Sequence, residues 1–331
     1  MTQLPKSRLM SKIDGFILLH KEPGVTSFEA LRPIKKLLGK GVKVGHCGTL
    51  DKFAEGLMIV LVGSFTRLNQ LFSGLDKEYW ATITFGRQTA TLDPEGEVIA
   101  TAPLPLEQPL TKVVNQFTGR QQQVPPAYSA IHVDGKRAYE RVLAGEEPEL
   151  KPRGITIYRS DIHHLKFNEN IQFNAAVVEE ATLQVICSKG TYIRSLARDI
   201  GLACGSAAYC CALKRTKIGN YTADYNFDEG GYFGLEDAVK ANQLTLNAIK
   251  MPSQLINYLP VVNLVIKDEF VKAVKCGNIF KEDWVLSKKL NNLMGWLPLK
   301  DVLLFDNAGN FLAAAYKEQD GWRYYFVKTG E

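Results

Sequence analysis

Leu183-Gln184-Val185-Ile186-Cys187-Ser188-Lys189-Gly190-Thr191-Tyr192-Ile193-Arg194-Ser195-Leu196-Ala197-Arg198-Asp199-Ile200 changes its period part-way along. Up to Cys187 the buried-type residues Leu183, Val185 and Cys187 recur every second position, as in a half-buried strand. From Thr191 a helix is expected, because Ile193, Leu196, Ala197 and Ile200 fall at i, i+3, i+4 and i+7 and form one apolar stripe. Arg194 and Arg198, four apart, share a different face. The junction between the two has free backbone N–H groups and Lys189, which suit a phosphate. Arg194 in the first turn could grip a carboxylate bidentately. An ordinary strand–helix junction with exposed basic residues would read the same way.

Working outward, Tyr79, Ala81, Ile83 and Phe85 alternate with Trp80, Thr82 and Thr84, a second half-buried strand. Residues 57–62 are a short apolar run that fits a buried strand or core segment. Ile17-Leu18-Leu19 reads as a strand and Pro23-Gly24 as a turn. Thr26 with Glu29 makes a capping-box pattern that opens a helix striped by Leu31, Ile34 and Leu38, with Pro33 bending it or delaying its start. Residues 101–153, rich in Pro, Gln and charge, suggest a long excursion from the sheet with one short helix. Residues 1–12 read as a loose leader, and a strand-rich unit follows Pro252. The expected class is α+β, a mixed and largely antiparallel sheet flanked by helices with a small β-rich C-terminal domain. The expected division is 1–12, 13–251 and 252–331.

The 331 residues allow one large domain and a smaller one, and the hydrophobic fraction of 46% is that of a globular chain. A formal charge of +5 tilts the partner list toward anions without deciding it. The six cysteines include no C-x-x-C spacing and the five histidines no H-x-x-x-H, so neither a disulfide framework nor a metal centre is expected. No run is long enough for a membrane span, and the N-terminus has no apolar core of a signal peptide, which leaves a cytoplasmic address as the expectation.

The densest segment for chemistry is Gly45-His46-Cys47-Gly48-Thr49-Leu50-Asp51, followed by Ala54 and Gly56. Its glycines permit tight turns, and an aspartate closing such a loop can serve as acid, base or nucleophile. A structural turn with an Asp cap is the plain alternative. Basic residues gather at Lys189, Arg194, Arg198, Lys214, Arg215 and Lys217. Lys136, Arg137, Lys151 and Arg153 lie near Tyr128 and Tyr139, and basic residues mixed with aromatics suit a nucleic-acid groove. A solvated charged surface would look alike.

Taken in order, these segments resemble the TruB family of tRNA pseudouridine synthases over nearly the whole chain. Lys21, Gly24, Thr26 and Ser27 resemble the family's K-P-x-G-x-T-S entry, and residues 45–56 its G-H-x-G-T-L-D-x-x-A-x-G loop. Lys77-Glu78-Tyr79 matches K-x-Y, and Thr89, Thr91, Asp93 and Gly96 follow T-D-T-x-D-x-x-G. Pro125-Pro126-Ala127-Tyr128-Ser129-Ala130 and Gly135-Lys136-Arg137-Ala138-Tyr139 resemble an RNA-gripping insertion, about 120–153. Cys187-Ser188-Lys189-Gly190-Thr191-Tyr192-Ile193-Arg194 matches C-S-K-G-T-Y-I-R, and Leu213-Lys214-Arg215-Thr216 matches L-R-R-T.

The resemblance implies a pseudouridine synthase fold and a PUA-like RNA-binding C-terminal domain. It also implies the cofactor-free and metal-free isomerisation of uridine 55 in the T-loop of tRNA. Asp51 would be the nucleophile, Tyr79 would pack on the target uracil and help deprotonate it, and Arg194 would pair with Asp51. His46, Lys77, Lys136, Arg137, Lys189, Tyr192 and Arg215 would contact the RNA. The expected partner is the T-arm of tRNA, bound by a monomer away from any membrane, with a tRNA-folding role compatible with catalysis. Two other readings fit the same scaffold: a non-catalytic RNA-binding module and a guide-RNA-dependent synthase. The chain departs from the family pattern at Glu22, Cys47, Lys52, Glu55, Arg67 and Ala90, and Lys52 and Glu55 change the charge beside Asp51.

Overall fold

The computed structural model describes residues 13–168, 176–222, 261–289 and 301–328, with short pieces at 225–227, 233–235, 239–240, 244–246, 249 and 259. The expected leader and the domain boundary near Pro252 lie outside the described residues. The first elements are β1 (Gly15–Lys21), α1 (Arg32–Leu38), β2 (Val44–Cys47), β3 (Glu55–Val62), α2 (Asn69–Ser73) and β4 (Lys77–Phe85). Next come β5 (Arg87–Thr89), β6 (Val98–Thr101), α3 (Glu107–Gln116), β7 (Gly119–Gln123), β8 (His132–Val133), β9 (Lys136–Arg137) and α4 (Ala138–Leu143). The sheet is completed by β10 (Arg153–Phe167), β11 (Val178–Cys187), α5 (Ile193–Ala203), β12 (Ala208–Ile218) and β13 (Tyr221–Thr222), then β14 (Tyr225–Phe227), β15 (Phe233–Leu235) and β16 (Val239–Lys240). A C-terminal group holds β17 (Val262–Ile266), α6 (Asp268–Lys275), β18 (Val285–Lys289), β19 (Asp301–Phe305), β20 (Phe311–Glu318) and β21 (Gly321–Val327).

Ten strands share one sheet in the order β16-β1-β3-β12-β4-β11-β10-β7, with β2 on β3 and β13 on β12. Only the β1/β16 and β3/β12 pairs are parallel, so the sheet is mixed and largely antiparallel, as expected. On β4 Tyr79, Ala81, Ile83 and Phe85 are buried and the alternation holds up to Ile83, after which Thr84 is buried too. They meet Ile193, Leu196, Ala197 and Ile200 of α5 in one apolar cluster. On the other part of the sheet, Ile17, Leu19, Met58 and Val60 pack against Leu31, Ile34 and Leu38 of the first helical segment. The five C-terminal strands form a second sheet, β18-β17-β19-β20-β21. Its Phe305, Phe311 and Phe326 share a core with Phe16, Phe65 and Phe72. Phe65 meets Phe311 and Phe326 edge-on at 5.9 and 5.8 Å. Such edge-to-face geometry is the favoured arrangement of ring quadrupoles.

Three local expectations change. The Thr26–Glu29 box forms, with the Thr26 N–H donating to Glu29 Oε2 at 3.0 Å and the Glu29 N–H to Thr26 Oγ1 at 3.1 Å. It opens a single 3₁₀ turn, and α1 begins only at Arg32 with Pro33 in its first turn. A proline has no N–H to give, and the first turn is where none is needed. Likewise α5 starts at Ile193 and not Thr191, because Gly190 sits at φ 82° and the Thr191 hydroxyl donates back to the Ser188 carbonyl. The 101–153 excursion carries two helices, α3 and α4, and between them β7 rejoins the sheet on β10. As an edge strand with one face toward solvent, β7 is polar enough to pass for loop.

Candidate active site

Asp51 stands at the middle of the loop between β2 and β3, which is held from three sides. The Ser27 hydroxyl donates to the Leu50 carbonyl and accepts from the Leu50 N–H, both at 2.8 Å. The buried Lys21 ammonium donates to the carbonyls of Val25 at 2.7 Å and Lys52 at 3.3 Å. Arg215, fully buried, donates from Nε to the Leu57 carbonyl at 2.7 Å and from Nη2 to Gly48 at 3.2 Å. Gly56 stands at φ 110°, and a Cβ there would overlap the Arg215 backbone, so the parallel β3/β12 approach demands glycine.

Arg194 comes from the second residue of α5, 143 positions after Asp51. Its Nε and Nη2 donate to Asp51 Oδ2 and Oδ1 at 3.0 and 2.9 Å, a bidentate pair. Nη1 donates to the Thr91 carbonyl at 2.7 Å and to Asp93 Oδ2 at 3.2 Å, and Nη2 also to the Tyr128 carbonyl at 3.0 Å. Those five bonds match the five N–H donors of a guanidinium. The Arg194 side chain is 5% exposed against 32% for Asp51, so of the pair the carboxylate is the more open to the cavity. Thr91 and Glu95 fix Asp93 in turn: the Thr91 hydroxyl and the Glu95 N–H both donate to Asp93 Oδ1. Leu92, between Thr91 and Asp93, takes the left-handed φ of 60°, a strained backbone for a branched side chain.

The cavity above them has a volume of about 390 Å³, within the range of small-ligand sites. Asp51, Lys77, Tyr79, Tyr192, Arg194 and Arg215 line it, joined by Tyr128 and Tyr139 of the insertion. Sheet register explains part of this: Arg215 lies directly opposite Tyr79 on β12, and Val185 opposite Tyr79 on β11, so these side chains share a face. Gln123 brackets Tyr192, its Nε2 donating to the Tyr192 carbonyl and its Oε1 accepting the Tyr192 N–H.

Electrostatics follow from burial and partners. Burial raises the Asp51 pKa, the Arg194 guanidinium opposes this, and Asp93 adds to the rise, leaving a net value above that of an ordinary aspartate. Burial also raises the Tyr79 pKa, with Arg215 acting the other way, so its phenol is neutral at physiological pH. Burial and then Arg215 bring Lys77 down to about 8. Its ammonium donates to the carbonyls of Ser73 and Leu75 at 2.7 and 2.5 Å and forms no ion pair with an acid among the described residues.

Six of the ten residues expected from the sequence thus meet at one cavity, and four do not line it. His46 sits on β2, where burial and Arg215 lower its pKa. Lys189 borders a neighbouring cavity of about 430 Å³ with Asp301 and Tyr325 of the C-terminal sheet. Lys136 and Arg137 are exposed on the β8/β9 hairpin. Arg215 braces the loop carbonyls as well as lining the cavity. Sequence reasoning missed Asp93 and Gln123 as organisers of the site, although Asp93 belongs to a quoted motif. It also left unstated what Ser27 does: it holds the Leu50 backbone.

A family model described as "TruB family pseudouridylate synthase (N terminal domain)" matches residues 35–193. A tRNA pseudouridine synthase B of Borreliella afzelii is 38% identical over 275 residues, 81% of this chain and 90% of the relative. One from Borreliella burgdorferi strain ATCC 35210 is 44% identical over 209 residues, 63% and 71% of the two chains. Among solved structures, the archaeal box H/ACA sRNP Nop10–Cbf5 complex aligns at a TM-score of 0.66 and 21% identity, covering 99% of this chain and 88% of the other. That likeness concerns the fold.

Proposed function

Because the chain belongs to the TruB family of tRNA pseudouridine synthases, we propose that it isomerises uridine 55 in the T-loop of tRNA, with Asp51 as nucleophile. The observation that carries this reading is the bidentate Arg194–Asp51 pair at the floor of a cavity walled by Tyr79. A uridine everted from its stack enters that cavity, at a cost of a few kcal/mol. Stacking on an aromatic ring such as Tyr79 returns ~1–3 kcal/mol. The Asp51 carboxylate adds to the nucleotide as the N-glycosidic bond breaks, the freed uracil turns, and its C5 rejoins the sugar as Asp51 leaves. No electrons are gained or lost overall. C5 loses its proton and the freed N1 takes one up, so the net reaction is an isomerisation, and the neutral Tyr79 phenol can take part only by relaying a proton.

Arg194 holds Asp51 ionised and oriented in a site where burial works against charge. The remaining expected contacts belong to this proposal: Lys77 and Tyr192 at the cavity, His46 behind it, and Lys189, Lys136 and Arg137 toward the RNA backbone. The C-terminal sheet, with Lys189 beside it, supports a PUA-like RNA-binding role. A monomer acting in the cytoplasm without a guide completes the reading, and tRNA folding can accompany it.

The test is to incubate purified protein with T-arm RNA and map pseudouridine. Wild type should convert one uridine without cofactor, guide or accessory protein, and Asp51→Asn should bind RNA yet convert none. Normal conversion by Asp51→Asn would defeat the assignment of the nucleophile. Binding without conversion by wild type would favour the non-catalytic module, and activity only with a guide RNA the guided class.

A further inference from the structure

Outside the cavity, at the base of the Asp51 loop, three residues converge that the reaction does not use. His20 is near the end of β1, Glu22 follows that strand, and Glu55 opens β3. His20 Nε2 lies 3.7 Å from Glu22 Oε2 and 3.7 Å from Glu55 Oε2, too far for hydrogen bonds. One ligand-type atom from each residue lies within 4.8 Å of the other two. The His20 side chain is only 5% exposed, and Nδ1 has no partner. A buried imidazole that makes no hydrogen bond among the described residues, with Nε2 aimed between two carboxylate oxygens, lacks the partner that burial ordinarily requires.

We propose that His20, Glu22 and Glu55 form a binding site for one transition-metal dication, best matched by Zn²⁺, which ties the end of β1 to the start of β3. Imidazole nitrogen and carboxylate oxygen bind zinc at ~2.0–2.2 Å. Tetrahedral bonds of that length separate neighbouring ligand atoms by roughly 3.4 Å, so the 3.7 Å gaps need to close by only a few tenths of an ångström. Glu22 and Glu55 are 47% and 35% exposed at the side chain, which leaves a route for the ion and room for a water as fourth ligand. Two of the three residues, Glu22 and Glu55, are departures from the family pattern.

The site has built-in competitors. Lys240 Nζ lies 3.4 Å from Glu22 Oε1, and Lys214 Nζ 3.7 Å from Glu55 Oε1. Each ammonium therefore occupies the outer oxygen of a carboxylate and leaves the inner one facing His20. Lys240 is half exposed and free to swing into solvent. Metal affinity is accordingly moderate, and it responds to the lysine. A chain of ion pairs with no metal role makes the opposite prediction.

Chelator-treated, full-length protein at pH 7.5 is titrated with ZnCl₂ by calorimetry and with CoCl₂ by visible absorption, with melting followed in parallel. Every protein carries Cys276→Ser, which removes the exposed thiol. One equivalent should bind with micromolar affinity, raise the melting temperature and give Co²⁺ d–d bands. Glu55→Gln and His20→Asn should each weaken binding at least tenfold, and Glu55→Gln, at a partly exposed position, guards against a folding artefact of the histidine change. Lys240→Gln should tighten binding several-fold. No saturable binding below 1 mM, binding indifferent to Glu55→Gln and His20→Asn, or no tightening in Lys240→Gln would each overturn the proposal.

Discussion

The floor of the cavity and the insertion at 120–153 are built on opposite principles. At the floor, Arg194 spends every donor on Asp51, Asp93 and two carbonyls, almost out of contact with solvent. In the insertion, Lys136 and Arg137 stand exposed, and the local order rests on surface charge pairs. Arg141, for example, donates to Asp134 at 2.8 Å and to Glu146 at 2.6 Å. The two regions touch at Tyr128, whose carbonyl accepts from Arg194 while its side chain walls the cavity. A nucleophile needs one dry, rigid geometry, whereas a polyanion is held by many adjustable and salt-sensitive contacts. The contrast predicts how damage to each region should look.

The largest effect should come from Arg194→Met, which leaves two carboxylates facing each other without their shared partner. A loss of about 3–5 kcal/mol is expected, read as a lower denaturant midpoint, with conversion abolished. Unchanged stability would mean that Asp51 and Asp93 do not depend on Arg194 for their charge balance. Asp93→Asn should keep the Asp51–Arg194 bond but loosen its orientation, lowering kcat by about 10²-fold with little change in KM. A pure KM effect would move Asp93 into the RNA-binding group.

Changing Lys136 and Arg137 together to Ala should act the other way. RNA affinity should fall about tenfold, the salt dependence of log K should flatten by roughly 1–2, and kcat at saturating RNA should hold. A drop in kcat instead would couple the hairpin to the chemistry.

Acidity offers a gentler probe. Asp51 has a raised pKa, so on acidification it takes up its proton earlier than an ordinary aspartate, and kcat/KM should fall with a midpoint above 3.8. On the alkaline side Lys77 loses its charge as pH rises through about 8, so KM for RNA should increase there while kcat is retained. An acid limb at or below 3.8 would mean that Arg194 outweighs burial. The smallest effect is expected from Arg141→Leu, at most about a threefold rise in KM that fades in high salt, as for other exposed pairs.

Legibility in the sequence divides along physical lines. The period of two at Tyr79, Ala81, Ile83 and Phe85 and the 3.6 spacing of Ile193, Leu196, Ala197 and Ile200 reported burial directly, because a side chain's face follows from local backbone geometry. Those signals carried the mixed, largely antiparallel sheet and its flanking helices. They could not place β7, whose edge position makes it polar, nor the start of α5, which depends on one left-handed glycine. Asp51 and Arg194 stood out as candidates in their own segments, but their pairing and the role of Tyr79 came through resemblance, since no spacing argument brings together residues 143 positions apart. Gln123 and the His20–Glu22–Glu55 cluster carried no pattern that local reading rewards, and Asp93 stood in a motif that gave no hint of its contact with Arg194.

What the chain alone determined, then, was which segments are strands, which are helices, and which loops hold reactive residue types. Whether Arg194 reaches Asp51, whether Arg215 lies beside Tyr79, and whether His20 faces Glu55 were decided only by strand register and by how α5 settles on the sheet. The reason is that backbone periodicity is set within a few residues, whereas a register is chosen by burying the apolar faces of strands distant in sequence, and a shift of one residue would turn strand side chains such as Arg215 or His20 to the other side.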